Sequence, residues 1–154
     1  MTLKVVERAA FSVVGIEIVT TPMSPDIPAL WPKFVARIDE IENLCEPRVS
    51  YGVMWSGESM SVLHYLAAVS VDKPARVPQG MTLLTLPAGS YASFRFPLSG
   101  LSKGFGEIFG RLLPESSYVQ TSGPLFERYD EAFDPTNPDS LVEICLPVSR
   151  KIGE

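Results

Sequence analysis

The chain has 154 residues, 45% hydrophobic and 20% charged, with 13 basic against 18 acidic side chains and a formal net charge of −5. That length suits one compact domain of about 100–150 residues, and the acidic balance argues against the nonspecific grip on nucleic acid that clustered Lys and Arg provide. Two distant cysteines, Cys45 and Cys145, make neither a disulfide framework nor a zinc site, and a lone histidine, His64, removes most zinc-hydrolase and Ser-His-Asp schemes.

Residues 3–20 read as a strand or bent strand pair, rich in Val, Ile and Phe, broken near Ala9-Ala10 and again at Gly15. After Thr20-Thr-Pro-Met-Ser-Pro-Asp26, the residues Ile27, Trp31, Phe34, Ile38, Ile41 and Cys45 recur at helical spacing, with Asp26 as an N-cap. Pro32 deletes a helix hydrogen bond, so the firm helix start is expected near Leu30, with Pro32 in the first turn. Two short strands follow, Ser50–Trp55 and Leu63–Val71, parted by the turn-like Ser56-Gly57-Glu58-Ser59. Met81–Pro97 reads as a strand broken at Pro87-Ala88-Gly89, and Phe105, Ile108, Phe109, Leu112 and Leu113 as a helix stopped by Pro114. Leu125–Phe133 and Leu141–Val148 are the last strands, separated by a turn-rich run from Asp134 to Ser140.

The second half repeats the first. A shift of 78 lays Val5, Val6, Ile16 and Ile18 on Leu83, Leu84, Phe94 and Phe96, and a shift of 74 lays Trp31, Phe34, Val35 and Ile38 on Phe105, Ile108, Phe109 and Leu112. The same 74 carries Tyr51–Trp55 onto Leu125–Tyr129. The expectation is an α+β fold: tandem β-α-β-β repeats, about 3–72 and 80–149 of a single domain over 1–154, related by a pseudo-twofold axis. They form an antiparallel sheet with two helices and a central cleft.

Strand side chains alternate faces, so Leu125, Glu127 and Tyr129 share one side, and under the shift of 74 their matches are Tyr51, Val53 and Trp55. A pseudo-twofold then gathers Tyr51, Trp55 and Tyr129 around one carboxylate, Glu127, with Tyr91 as a further wall. Such a cavity suits a cationic or amphipathic ligand, because aromatic faces attract cations by about 0.5–2 kcal/mol each, whereas a buried carboxylate without a partner tends toward protonation. The plainer alternative is a solvated Glu127-Arg128 edge pair beside ordinary core aromatics. Glu143 shares the ambiguity: Val142, Ile144 and Leu146 point to a core, which leaves it facing the cavity or water.

The segments Gly123-Pro-Leu-Phe-Glu-Arg-Tyr129 and Leu141-Val-Glu-Ile-Cys-Leu-Pro-Val148 resemble the C-terminal signature of the gyrase-inhibitor-like (GyrI-like) small-molecule-binding family. That domain is also the effector-binding part of several AraC-type and MerR-type multidrug regulators. Leu86-Pro-Ala-Gly-Ser-Tyr-Ala-Ser-Phe94, Tyr51-Gly-Val-Met-Trp55 and Leu30-Trp31-Pro-Lys-Phe34 extend the similarity over nearly the whole chain. The resemblance implies a ligand cleft between two β-α-β-β units and an acid deep in an aromatic pocket. By position the acid falls on Glu127, with Tyr91 after the Pro-Ala-Gly turn and Trp55 facing Glu127; Glu143 is a second candidate acid in the last strand. Unlike the regulators, the sequence shows no helix-turn-helix, so a stand-alone version is expected, without direct contact to nucleic acid. Some stand-alone relatives hydrolyse strained electrophiles of the cyclopropanone type with a pocket glutamate, which makes Glu127 as general base the alternative. A gyrase-inhibitor-like protein-interaction module is the third reading.

Other motifs lose their appeal on inspection. Gly104-Phe-Gly-Glu-Ile-Phe-Gly110 has the wrong spacing for a dinucleotide fingerprint, and its apolar residues match the first helix's core stripe. His64 has no ligand partner at metal spacing, so no metal or cofactor is expected. The N-terminus lacks a long apolar core and no run approaches the ~20 residues of a spanning helix. With two free cysteines, the expected setting is cytoplasmic.

Overall fold

The computed structural model describes residues 3–56, 61–72 and 76–152. In chain order these form β1 (Lys4–Arg8), β2 (Phe11–Thr20), α1 (Asp26–Val35), β3 (Ser50–Ser56), β4 (Leu63–Val71), β5 (Thr82–Leu86) and β6 (Gly89–Pro97). Then come α2 (Leu101–Glu107), β7 (Tyr118–Gln120), β8 (Leu125–Tyr129) and β9 (Leu141–Arg150). The expected turn at Gly57-Glu58-Ser59 lies outside the described residues.

The strands run antiparallel in the order β1-β6-β9-β8-β3-β4-β2-β5, with β7 paired to the C-terminal end of β9. That order is a palindrome under the repeat. From either edge one meets a short arm, the long strand of the other half, that half's last strand, and a central strand. The arms are exchanged: β1 pairs β6 of the second half, and β5 pairs β2 of the first. Exchange needs the chain to leave the sheet between arm and long strand, which is why breaks fall at Ala9-Ala10 and Pro87-Ala88. Gly15, by contrast, breaks nothing; β2 runs through it, and a Cβ there would collide with the backbone of Ala67 on β4.

An offset of 78 maps β1 onto β5 residue for residue. Carried through the strand pairs, the same symmetry requires 75 in the central strands, so Gly52 and Glu127 are counterparts. They also face one another across β3–β8. The offset of 74 expected from the sequence is therefore one residue out of phase in these strands, and a one-residue slip exchanges the two faces of a strand.

The sheet buries both faces. One carries the helices: Val14, Tyr65, Ala67 and Val69 pack with Leu30 and Phe34 of α1, while Ala92, Phe94, Ile144 and Leu146 pack with Ile108 and Leu112 after α2. The other face closes on itself around Val13, Tyr51, Val53, Leu66, Tyr91, Phe126 and Cys145.

Both helices differ from expectation in detail. α1 begins at Asp26 rather than near Leu30, because Ser24 Oγ accepts the Asp26 N–H and Pro28 occupies the first turn, where a missing N–H costs nothing. Pro32 thus sits inside the helix, and α1 ends at Val35; Ile38 continues the apolar stripe from a separate 3-10 turn. After α2 the chain widens into a π-type turn over Ile108–Leu112, marked by the Leu113 N–H donating to the Ile108 carbonyl five residues back. No described helix is long and apolar enough to cross a membrane.

Candidate functional site

Between α1 and α2, over the central strands, lies a cleft of about 1010 Å³. Its floor comes from one face of β3, β4 and β8, where the register aligns Met54 with Tyr65 and Leu125, and Gly52 with Glu127. Trp31 and Ile27 of α1 form one wall, and Leu101, Phe105 and Phe109 the other. Phe133, Pro135 and the Pro22–Pro25 segment close the ends. The π-type turn has a consequence here: it keeps Ile108 and Leu112 in the core while Phe109, 42% exposed, reaches the mouth.

Glu127 is the only charged residue lining the cleft among the described residues, and it is 5% exposed. Its Oε1 accepts hydrogen bonds from the Tyr65 hydroxyl at 2.9 Å and the Tyr129 hydroxyl at 2.7 Å. Trp31 Nε1–H in turn donates to the Tyr65 oxygen at 3.1 Å, and the Trp31 ring stands edge-on to Tyr129, 5.4 Å between centroids. Among the described residues no cation pairs with Glu127. Burial pushes its carboxyl above the usual carboxylate range, and the Tyr129 and Tyr65 hydrogen bonds offset only part of that. Burial, reinforced by Glu127's charge, holds both phenols well above their ordinary range.

Gly52 makes this geometry possible. A Cβ there would collide with the Tyr65 hydroxyl and fall 2.7 Å from Glu127 Oε1. The glycine opposite the acid is therefore the space in which the acid and its tyrosine meet.

Of the six residues expected at the site, Glu127, Trp55 and Tyr129 line the cleft. Trp55 touches the cleft only at the end of β3; it shares the strand face of Tyr51 and Val53, packs on the core of that face and stacks on His64 with 5.2 Å between rings, while His64 Nδ1 sits 2.9 Å from a Glu17 oxygen. Tyr51, Tyr91 and Glu143 lie on that face without reaching the cleft. Tyr51 is buried in the central core and its hydroxyl donates to Glu46 at 2.6 Å, in a network that Arg128 and Ser70 complete. The Tyr91 hydroxyl donates to the Pro87 carbonyl at 2.7 Å. Glu143 accepts from Ser93 at 2.5 Å and lies 3.7 Å from Arg8. Burial alone would raise the Glu143 carboxyl, but the Ser93 hydrogen bond and Arg8's charge win and hold it below its ordinary value.

The cause is the phase of β3 and β8 described above: Tyr51 aligns with Arg128, not with Glu127. Arg128, taken with Glu127 as a possible edge pair, instead bonds Glu46 at 2.8 Å on that other face. Cys145 also faces away from the cleft, and burial followed by the charge of Glu143 pushes its thiol up to about 12.

Two residues of the network around Glu127 escaped the sequence reading. Tyr65 looked like an ordinary strand residue beside His64, and Trp31 like part of the α1 core stripe. The missing signal was the pairing of β4 with β3, which puts Tyr65, Met54 and Glu127 on one face.

Comparison with known proteins agrees with this architecture. The family model described as "GyrI-like small molecule binding domain" matches residues 1–149. The transcriptional regulator BrlR of Pseudomonas aeruginosa is 34% identical over 151 residues, which are 96% of this chain and 56% of BrlR, so the chain spans little more than half of that relative. Among solved structures, SAV2435 bound to tetraphenylphosphonium superposes with a TM-score of 0.76 at 20% identity, covering 97% of this chain and 94% of that one. The EcmrR C-terminal domain gives a TM-score of 0.72 at 12% identity, with 97% and 98% covered.

Proposed function

The chain belongs to the GyrI-like small-molecule-binding domain family, and from that premise we propose that it captures hydrophobic cations or cationic amphiphiles between α1 and α2, with Glu127 as the counter-charge. One observation carries the reading. A buried carboxylate without a cationic partner faces a large cleft whose other lining groups are uncharged, many of them aromatic or aliphatic. Burying an unpaired charge opposes folding, and an entering cation relieves that cost by restoring the partner the protein withholds. Trp31, Tyr129 and Phe105 supply the aromatic surface, each face adding about 0.5–2 kcal/mol.

The tetraphenylphosphonium held by SAV2435 is a lipophilic cation of this class and fits a cleft of about 1010 Å³. The same carboxylate would have to be the base of a hydrolase; among the described residues no other charged group lines the cleft, and a lone buried anion facing apolar walls favours the binding reading. At net charge −5 the chain has no general attraction for a polyanion, so the proposed role is ligand recognition alone.

Titrating tetraphenylphosphonium while following tryptophan fluorescence tests this, since Trp31 and Trp55 both line the cleft. Saturable quenching is expected, with Glu127→Gln weakening the affinity by about tenfold or more. Absence of binding across a panel of lipophilic cations would overturn the reading, and turnover of a cyclopropanone hydrate lost in Glu127→Gln would favour the hydrolase.

A further inference from the structure

Resting on the reading of this cleft as a cation site, we propose that it selects cations carrying a proton to donate, protonated lipophilic amines, over permanently quaternary ones. The ground is the asymmetry of the Glu127 carboxylate. Oε1 takes both hydroxyl donors, from Tyr65 and Tyr129, whereas no described residue donates to Oε2. Glu127 lines the cleft and keeps a 5% exposed surface there, so its oxygen without a donor is the one a ligand can reach.

The donors around it are already used. The Tyr65 hydroxyl gives its proton to Oε1 and receives that of Trp31 Nε1; the Tyr129 hydroxyl gives its proton to Oε1. A hydroxyl has one proton and two lone pairs, so what remains at the floor is acceptors only: Oε2 and spare lone pairs on the two phenol oxygens.

A ligand group that matches must bring both a positive charge and an N–H. A quaternary ammonium supplies the charge alone and holds its methyl shell against Oε2. A neutral alcohol supplies the proton alone. A protonated primary, secondary or tertiary amine supplies both, and a hydrogen bond between two charged partners is about twice as strong as a neutral one. The apolar walls then require that the amine carry a bulky aromatic or aliphatic body.

Two ligands that differ by one methyl group decide this on the unaltered protein. Isothermal titration calorimetry at pH 7 would compare diphenylpropyl-dimethylamine, protonated there as an ordinary alkylamine is, with its N-methylated quaternary homologue. The tertiary ammonium is expected to bind about tenfold tighter or more. Equal affinities, or a tighter quaternary ion, would overturn the selection and leave the cation reading standing. If neither compound binds, the cation reading fails and the selection with it. In Glu127→Gln both should weaken and their ratio should fall toward one; a preference that survives that substitution would place its origin away from Oε2 and overturn the inference.

Discussion

At the scale of single residues, the burial of Glu127 costs stability at neutral pH. Its carboxyl titrates above the unfolded value, so its contribution to folding is fully present below the ordinary carboxylate range and is lost as pH rises through the folded pKa. Glu127→Gln should therefore raise the Tm of the ligand-free protein at pH 7 to 8, and the gap should close toward pH 4; thermal melts across that range check both the sign and the trend. Saturating lipophilic cation should reverse the order, stabilising the wild type more than the variant. Tyr129→Phe removes one of two donors to Oε1 and should raise the Glu127 pKa further, shifting the pH profile of cation binding upward. The sequence singled out Glu127 and one of the phenols bonded to it, Tyr129, but it set Trp55 opposite the acid, where the strand's phase does not put it. It did not disclose Tyr65 and Trp31, because a phenol or an indole in an apolar stripe reads as core until a neighbouring strand shows which polar atom it touches.

At the scale of elements, three glycines separate packing from propensity. Gly104 of α2 lies under Phe96, whose ring carbons a Cβ would approach to 2.6 Å, whereas Gly106 in the same helix has open space around it. Gly104→Ala should destabilise by about 1–3 kcal/mol through overpacking, and Gly106→Ala should stabilise by up to about 1 kcal/mol through helix propensity; urea midpoints measure the opposite signs. Gly52→Ala should act on both scales, displacing Tyr65 and Glu127 in the folded sheet and weakening cation binding together with stability. Element existence was legible because strands and helices bury one face each, and alternation records which. Phase was not: the spacing that aligns two helices does not fix the register of two strands, and that one residue sent Tyr51 to the other face. β7 was too short to show any period, with three residues pairing only at the end of β9.

At the scale of the whole molecule, the cleft belongs to both halves: Trp31 and Trp55 come from the first, and Phe105, Phe109, Glu127 and Tyr129 from the second. A ligand held there should slow hydrogen exchange in Asp26–Val35 and Leu101–Glu107 together, and at a free concentration of a hundred times Kd it should add about 2.7 kcal/mol to the stability. Slowing confined to one helix would count against a site shared between them. The repeat was visible from the sequence because whole elements recur in order, while the crossed arms were not, since no local pattern tells a strand which half to join.

Gly52 and Glu127 face each other where the pseudo-axis passes between β3 and β8. Under strict symmetry an acid there would meet its own copy, two carboxylates about 4.5–5.5 Å apart at their Cα atoms. Such a pair would hold a proton between them or call for a doubly charged guest. Glycine on one side cancels that second charge and vacates its volume. The molecule is thereby twofold in shape but onefold in valence, and the cation we propose for it need carry only a single positive charge.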